Sequence, residues 1–203
     1  MKLLKIKLQK LSIIQISILI MIIGLILGVL SANLFQSFYY ERMMNYHNHV
    51  FSEIARESID YSGLFYYILR ENFKDFVVFW LLSITILGIP YMLLKIIVFG
   101  FSTGFFISAI AMQYGFKGIL LILSYQFPHG LIYLPIILLC LHKGYGLCRS
   151  MYFENRNYLS FILRQFKSYL FLLIFLSVLL FLGSFLEAYV GSFFLKKALE
   201  LIT

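Results

Sequence analysis

The chain has 203 residues, 62% of them hydrophobic and only 13% charged, with a net charge of +8 and a mean hydropathy of +0.90. Soluble domains are roughly 45–50% apolar and about 25% charged, and a fold of this size has too little interior to hide the excess. A soluble enzyme domain, a disordered chain and a nucleic-acid-binding module are excluded, the last despite a pI near 9.4. An all-α, polytopic membrane helical bundle of about five spans remains, read as a single membrane domain.

A bilayer-crossing helix needs ~20 mostly apolar residues. The first candidate is 11–35, behind Lys2, Lys5, Lys7 and Lys10. Ser31 and Ala32 offer small residues for cleavage. A secretory signal core is only ~7–15 residues, however, so the segment reads as an uncleaved span. Gly24, Gly28 and Ala32 form a small-residue ridge at four-residue spacing, the pattern that lets helices approach closely.

Residues 36–75 read as an outer loop of one or two amphipathic helices, with tyrosines at headgroup level. Val50, Ile54 and Tyr61 share one helix face. The segment is too small for an independent catalytic domain and large enough for docking. The candidate partner-binding residues are Tyr39, Tyr40, Tyr46, Tyr61, Tyr66, Tyr67, Glu53, Glu57 and Asp60. His47 and His49 invite a metal reading, but side chains two apart diverge on a helix. Zinc also needs three or four ligands, so no metal or cofactor is expected.

The stretch from Phe76 to Met112 is apolar except for Lys95. Its length suits two spans, 76–94 and 96–112, with Gly88-Ile89-Pro90 weakening the end of the first and Lys95 marking the turn. Gly100, Gly104 and Ser108 form a second small-residue ridge. Whether the two ridges meet within one chain or between subunits stays open, and so does a homo-oligomer.

The fourth span, 118–141, carries Gln126-Phe127-Pro128-His129-Gly130 at its middle. Polar residues at that depth face protein or a water-filled cavity, and broken helices build transporter sites. One reading is a polar site centred on His129; the other is a kinked helix with a single interhelical hydrogen bond. The span offers no partner carboxylate, and Glu187 falls at a different depth from His129. No catalytic set converges. Cys140 and Cys148 lie near the cytoplasmic face and should stay reduced.

The connection 142–168 places Leu159, Ile162, Leu163 and Phe166 on one face among basic residues. It reads either as an amphipathic helix on the inner leaflet or as a continuation of the fifth span, 169–190. With the amino terminus inside, ten of the seventeen basic residues but only one acid, Glu154, are cytoplasmic. That gives +9 inside and −1 outside, as the positive-inside rule prefers.

Leu69 to Leu147 resembles the stage II sporulation protein M family. The likeness rests on the order of several pieces: Ile68 to Phe76 ending the outer loop, a span closing on Gly88 and Pro90, and Lys95 ahead of Gly100 to Gly104. Pro128, His129 and Gly130 follow, and then Pro135. Many members of the wider family carry a glutamate shortly after the His-Gly pair; this chain has Tyr133. The resemblance implies an integral membrane scaffold of forespore engulfment in endospore formation. It implies two membrane-anchored partners that cut peptidoglycan, a lytic transglycosylase (stage II sporulation protein D) and an amidase-endopeptidase (stage II sporulation protein P). The runner-up reading is a permease-like or transporter-accessory protein with its site around Pro128 and His129. Lipid bilayer is a partner in either case, and nucleic acid in neither.

Overall fold

The computed structural model describes residues 12–56, 59–154 and 158–201, and every regular element among them is helical. In chain order these are α1 (Ile13–Leu34), α2 (Gln36–Arg56), α3 (Tyr61–Ser83), α4 (Gly88–Tyr114), α5 (Phe116–Gln126), α6 (His129–Arg149), α7 (Tyr158–Phe185) and α8 (Ser192–Glu200). Short π-helical stretches, Ser150–Glu154 and Leu186–Gly191, follow α6 and α7. Four stretches among the described residues are long and apolar enough to cross a membrane: Ile13–Leu34, Gly88–Tyr114, His129–Tyr152 and Ser168–Glu200. The chain is a polytopic all-α membrane bundle.

Helix α1 opens with a capping box. Ser12 Oγ accepts from the Gln15 N–H at 3.4 Å, and Gln15 Oε1 accepts from the Ser12 N–H at 2.9 Å. Two first-turn donors are satisfied in this way. Helix α1 then lies along α4 with the two small-residue ridges face to face. A Cβ on Gly24 would stand 2.6 Å from the Ile97 carbonyl oxygen. One on Gly28 would strike the Phe101 carbonyl oxygen, and those on Gly100 and Gly104 would strike the Met21 and Leu25 carbonyl oxygens. Numbers rise together along both helices, so the pair is parallel, and its backbones touch as only glycine permits. Asn33 Nδ2 closes the far end by donating to Ser108 Oγ at 3.0 Å. These ridges meet within one chain.

The hairpin between α3 and α4 turns at 84–87, which corrects the reading that placed the turn at Lys95. The reason lies in which polar groups find partners. At 84–87, Tyr152 Oη donates to the Ile84 carbonyl at 2.9 Å, and the Cys148 thiol donates to the Thr85 carbonyl at 3.4 Å. Pro90 falls in the first turn of α4, where its missing N–H costs no hydrogen bond. The Gly88-Ile89-Pro90 stretch therefore starts a helix and does not weaken the end of one. Lys95 sits inside α4, where its ammonium donates to Asp75 Oδ2 of α3 at 2.8 Å.

The segment 36–75 is likewise not one outer loop. Helix α3 begins at Tyr61 and packs into the bundle: the Phe65 ring meets Phe181 edge-on at 5.4 Å, and Tyr61 stacks on Tyr189 at 5.7 Å. Arg70, Glu71, Lys74 and Asp75, assigned above to the outside, are therefore carried on a bundle helix. The main core joins Phe76, Phe79 and Trp80 of α3 to Met92 and Ile96 of α4, Ile136 and Leu141 of α6, and Leu176 and Leu180 of α7.

The stretch read as a span over 118–141 is two helices. Helix α5 ends at Gln126 and α6 starts at His129, with the Phe127–Pro128 peptide cis between them. Helix α6 runs on to Arg149, because Gly144 lets it lie against α3 and α4. A Cβ there would come 2.7 Å from Met92 Cε and 2.9 Å from Ser83 Oγ. The connection at 142–168 shrinks accordingly. His142–Arg149 belongs to α6, and Tyr158–Phe185 is one continuous helix that includes Leu159 to Phe166. The amphipathic reading of that stretch rests on side chains outside the described residues. A second, smaller core caps the far end, where Ile110, Leu121, Ala198 and Leu199 pack with Ile54 of α2 and Tyr114.

Candidate functional site

Two features stand apart from ordinary packing: the docked helix α2 and a half-buried polar cluster between α3, α6 and the end of α7. Helix α2 follows α1 after a single residue and is fastened at two points. Near its start, the Tyr39 hydroxyl donates to the Ala32 carbonyl, and the Tyr39 ring lies 5.0 Å from Phe105. Burial there pushes the phenol's pKa up. Farther along, His47 Nδ1 lies 2.9 Å from Gln113 Oε1. Gln113 Nε2 donates to Asn48 Oδ1 at 3.2 Å and to Tyr114 Oη at 3.0 Å. The polar end of α4 thus holds α2 across the end of the bundle.

The nine candidate partner-binding residues separate into different roles. Tyr39 is a fastening and Tyr40 is half-buried, whereas Tyr46 is 67% exposed, in company with Glu41, Arg42 and Asn45. Asp60 caps α3 by accepting from the Gly63 N–H at 3.1 Å. Tyr61 packs on Tyr189. Tyr66 and Tyr67 are exposed on α3, 70% and 66%, a different helix from the one that carries Tyr46. Glu53 lies on α2 with its side chain outside the described residues, and Glu57 lies outside them altogether. His47 contacts Gln113, and among the described residues no three His, Cys, Asp or Glu side chains gather to hold a metal.

The polar cluster centres on Tyr133. Its hydroxyl donates to Glu187 Oε2 at 2.8 Å and accepts from Asn72 Nδ2 at 2.7 Å. Asn72 Nδ2 also reaches Ser184 Oγ, at 3.1 Å, and Ser184 is fully buried. His129, 5% exposed, stands one turn before Tyr133 with ring centroids 5.6 Å apart. Its Nδ1 is 3.3 Å from where a Gly191 Cβ would stand, and Glu187 is close enough to act on it electrostatically. His129 and Glu187 therefore belong to one cluster, which corrects their assignment to separate depths. The reason is the long C-terminal helix: the turn Leu186–Gly191 packs against α6 and carries Glu187 to Tyr133. Beside the cluster, a cavity of about 290 Å³ has mostly apolar walls, with Asn72, Tyr133, Asp75 and Lys95 among its lining.

The stage II sporulation protein M family model matches residues 17–192. The chain belongs to that family. No curated protein and no solved structure matches it. Within the family motif, Gly88 and Pro90 start α4, Pro128 separates α5 from α6, and Gly130 lies against the Gln126 side chain. Pro135 sits inside α6. Tyr133 follows the His-Gly pair by one turn, and its phenol holds a carboxylate supplied by Glu187, far along the chain. Asn72 and Ser184 are not singled out by the sequence, and Glu187 is singled out there only as a group at another depth. The one local signal was the four-residue spacing of His129 and Tyr133, which puts both on one face of a helix.

Proposed function

We propose that the protein is a non-catalytic membrane scaffold of endospore formation, recruiting and localising peptidoglycan-degrading enzymes for septal wall thinning and engulfment. Its partners in this reading are a lytic transglycosylase of the protein D type and an amidase-endopeptidase of the protein P type. It would act in the septal and engulfing membrane of the mother cell, with its amino terminus cytoplasmic. Membership of a sporulation membrane family supports the setting. The observation that carries the scaffold role is the fastening of α2: a helix held at Tyr39 and His47 presents Glu41, Arg42, Asn45 and Tyr46 outward on a rigid mount. A mount of this kind raises the effective concentration of tethered enzymes without contributing to their chemistry.

The test is affinity purification of the detergent-solubilised protein from sporulating cells. Tyr46→Ala combined with Arg42→Ala should lower recovery of both hydrolases at least tenfold, whereas His129→Ala leaves recovery unchanged. Equal recovery from all three proteins would refute α2 as the mount.

A further inference from the structure

The polar face of α3 is where the chain asks for something outside itself. Arg70, Glu71, Lys74 and Asp75 are all exposed, the side chains of Lys74 and Asp75 by 65% and 68%. They do not lie at an end of the bundle. Asn72, between them, bonds Tyr133 and Ser184, which belong to two of the apolar membrane-crossing stretches. Asp75 pairs with Lys95, seven residues into a third. Arg70, Glu71 and Lys74 are thus displayed sideways beside the crossing stretches, with Asp75 at the edge of the cavity that it lines with Lys95, where hydrocarbon contact is costly and charged groups face protein or water.

Their order indicates what covers them. At 3.6 residues per turn, setting Arg70 at zero places Lys74 at about 40°, Glu71 at about 100° and Asp75 at about 140° around the helix. The bases therefore occupy one flank of the exposed face and the acids the other. Copies of one chain share an orientation in a bilayer, so the simplest closed pair has its twofold axis along the membrane normal. That operation sets the basic flank of one α3 against the acidic flank of the other, on both sides of the axis. Tyr67, 66% exposed, lies between the flanks one turn away.

We infer that the exposed face of α3 is a self-association surface, and that the occupant is a second copy of this chain packed α3 to α3 about a twofold axis. Arg70 and Lys74 of each copy then meet Glu71 and Asp75 of the other. The intrachain pairs Glu71–Lys74, at 3.4 Å, and Asp75–Lys95 become parts of that network.

The test uses the full chain in liposomes, with subunits counted by single-molecule photobleaching at dilute protein-to-lipid ratio. Wild type should be mainly dimeric. The all-acidic variant Arg70→Glu/Lys74→Glu and the all-basic variant Glu71→Lys/Asp75→Lys should each lose dimer at least tenfold. Mixed together, they should regain it as heterodimer, an outcome that misfolding cannot produce. In membranes of intact cells, Tyr67→Cys should give an oxidative dimer, and Phe171→Cys, exposed on α7, should not. Monomeric wild type, no recovery on mixing, or equal cross-linking at both cysteines would overturn the inference.

Discussion

The contact between α1 and α4 makes the sharpest demand on single residues. In Gly24→Ala, the new Cβ lies 2.6 Å from the Ile97 carbonyl oxygen, whereas ordinary van der Waals contact begins at 3.4 Å. The obstacle is backbone, so no side chain can swing aside, and the helices must part by about 0.8 Å. A gap of that size forfeits a quarter to a half of each dispersion contact of ~0.1–0.2 kcal/mol. Over the roughly 50–100 atom pairs of a close helix contact, the loss is about 3 kcal/mol. Alanine returns about 1 kcal/mol through helix propensity, leaving a net loss of about 2 kcal/mol. The single tryptophan, Trp80, is buried in the core, so its fluorescence can follow unfolding in mixed micelles with rising dodecyl sulfate. Gly28→Ala should cost more, because its Cβ meets the Phe101 carbonyl still more closely. Gly146→Ala is the control: nothing lies within 4 Å of its Cβ, so stability should hold or rise slightly. A Gly24→Ala stability within about 0.5 kcal/mol of wild type, the range of ordinary surface substitutions, or equal damage from Gly146→Ala, would refute a contact limited by backbone.

Three further outcomes follow from the same geometry. Tyr133→Phe removes the hydroxyl that joins Asn72 to Glu187 and should cost about 1 kcal/mol, the usual net contribution of an intramolecular hydrogen bond. The Trp80 transition measures it, and a neutral result would mean that water replaces the phenol at no cost. His47→Ala cuts one fastening of α2, so amide exchange in Gln36–Arg56 should quicken while the Trp80 transition stays put; a shift in both would make α2 part of the core. Lys95→Met removes the partner of Asp75 within the chain and should destabilise more than Lys95→Met/Asp75→Leu, because a charge short of compensation beside apolar helices is costlier than none. The two midpoints decide the order.

Where the sequence was legible, the signal was periodic. Hydropathy alone located the first span, since every residue from Ile13 to Leu34 has little choice but to cross. The small-residue spacing located both ridges, because four-residue steps are the helix repeat itself. What hydropathy misplaced was the α3–α4 turn. Lys95 is the one charge in a 37-residue apolar run, and a window average treats it as a boundary. In the fold, its charge is met by Asp75 across the hairpin, a contact between residues 20 apart that no local pattern announces. The polar cluster was hidden for the same reason at longer range, since Tyr133 and Glu187 are 54 residues apart. Resemblance even pointed away from it: Tyr133 looks like the loss of a carboxylate until the turn at Leu186–Gly191 brings one to its hydroxyl.

The source of the carboxylate, 54 residues along the chain from Tyr133, bears on what the cluster does. A carboxylate on α6 itself would leave His129 and an acid on one helix, free to move as a unit. Supplied from beyond α7, the acid instead ties three elements together, because Tyr133 of α6, Asn72 of α3 and Glu187 bond around one phenol. The tie sits directly after the break between α5 and α6, where a helix pair interrupted at Pro128 has least stiffness of its own. Helix α5 in turn packs with α8 and the end of α4 beneath α2. A permease needs its broken helix to move. The scaffold role proposed above is served by the same break held locked, because a mount at α2 is only as rigid as the helices below it, and the hydrogen bonds among Asn72, Tyr133, Ser184 and Glu187 beside the hinge favour locking.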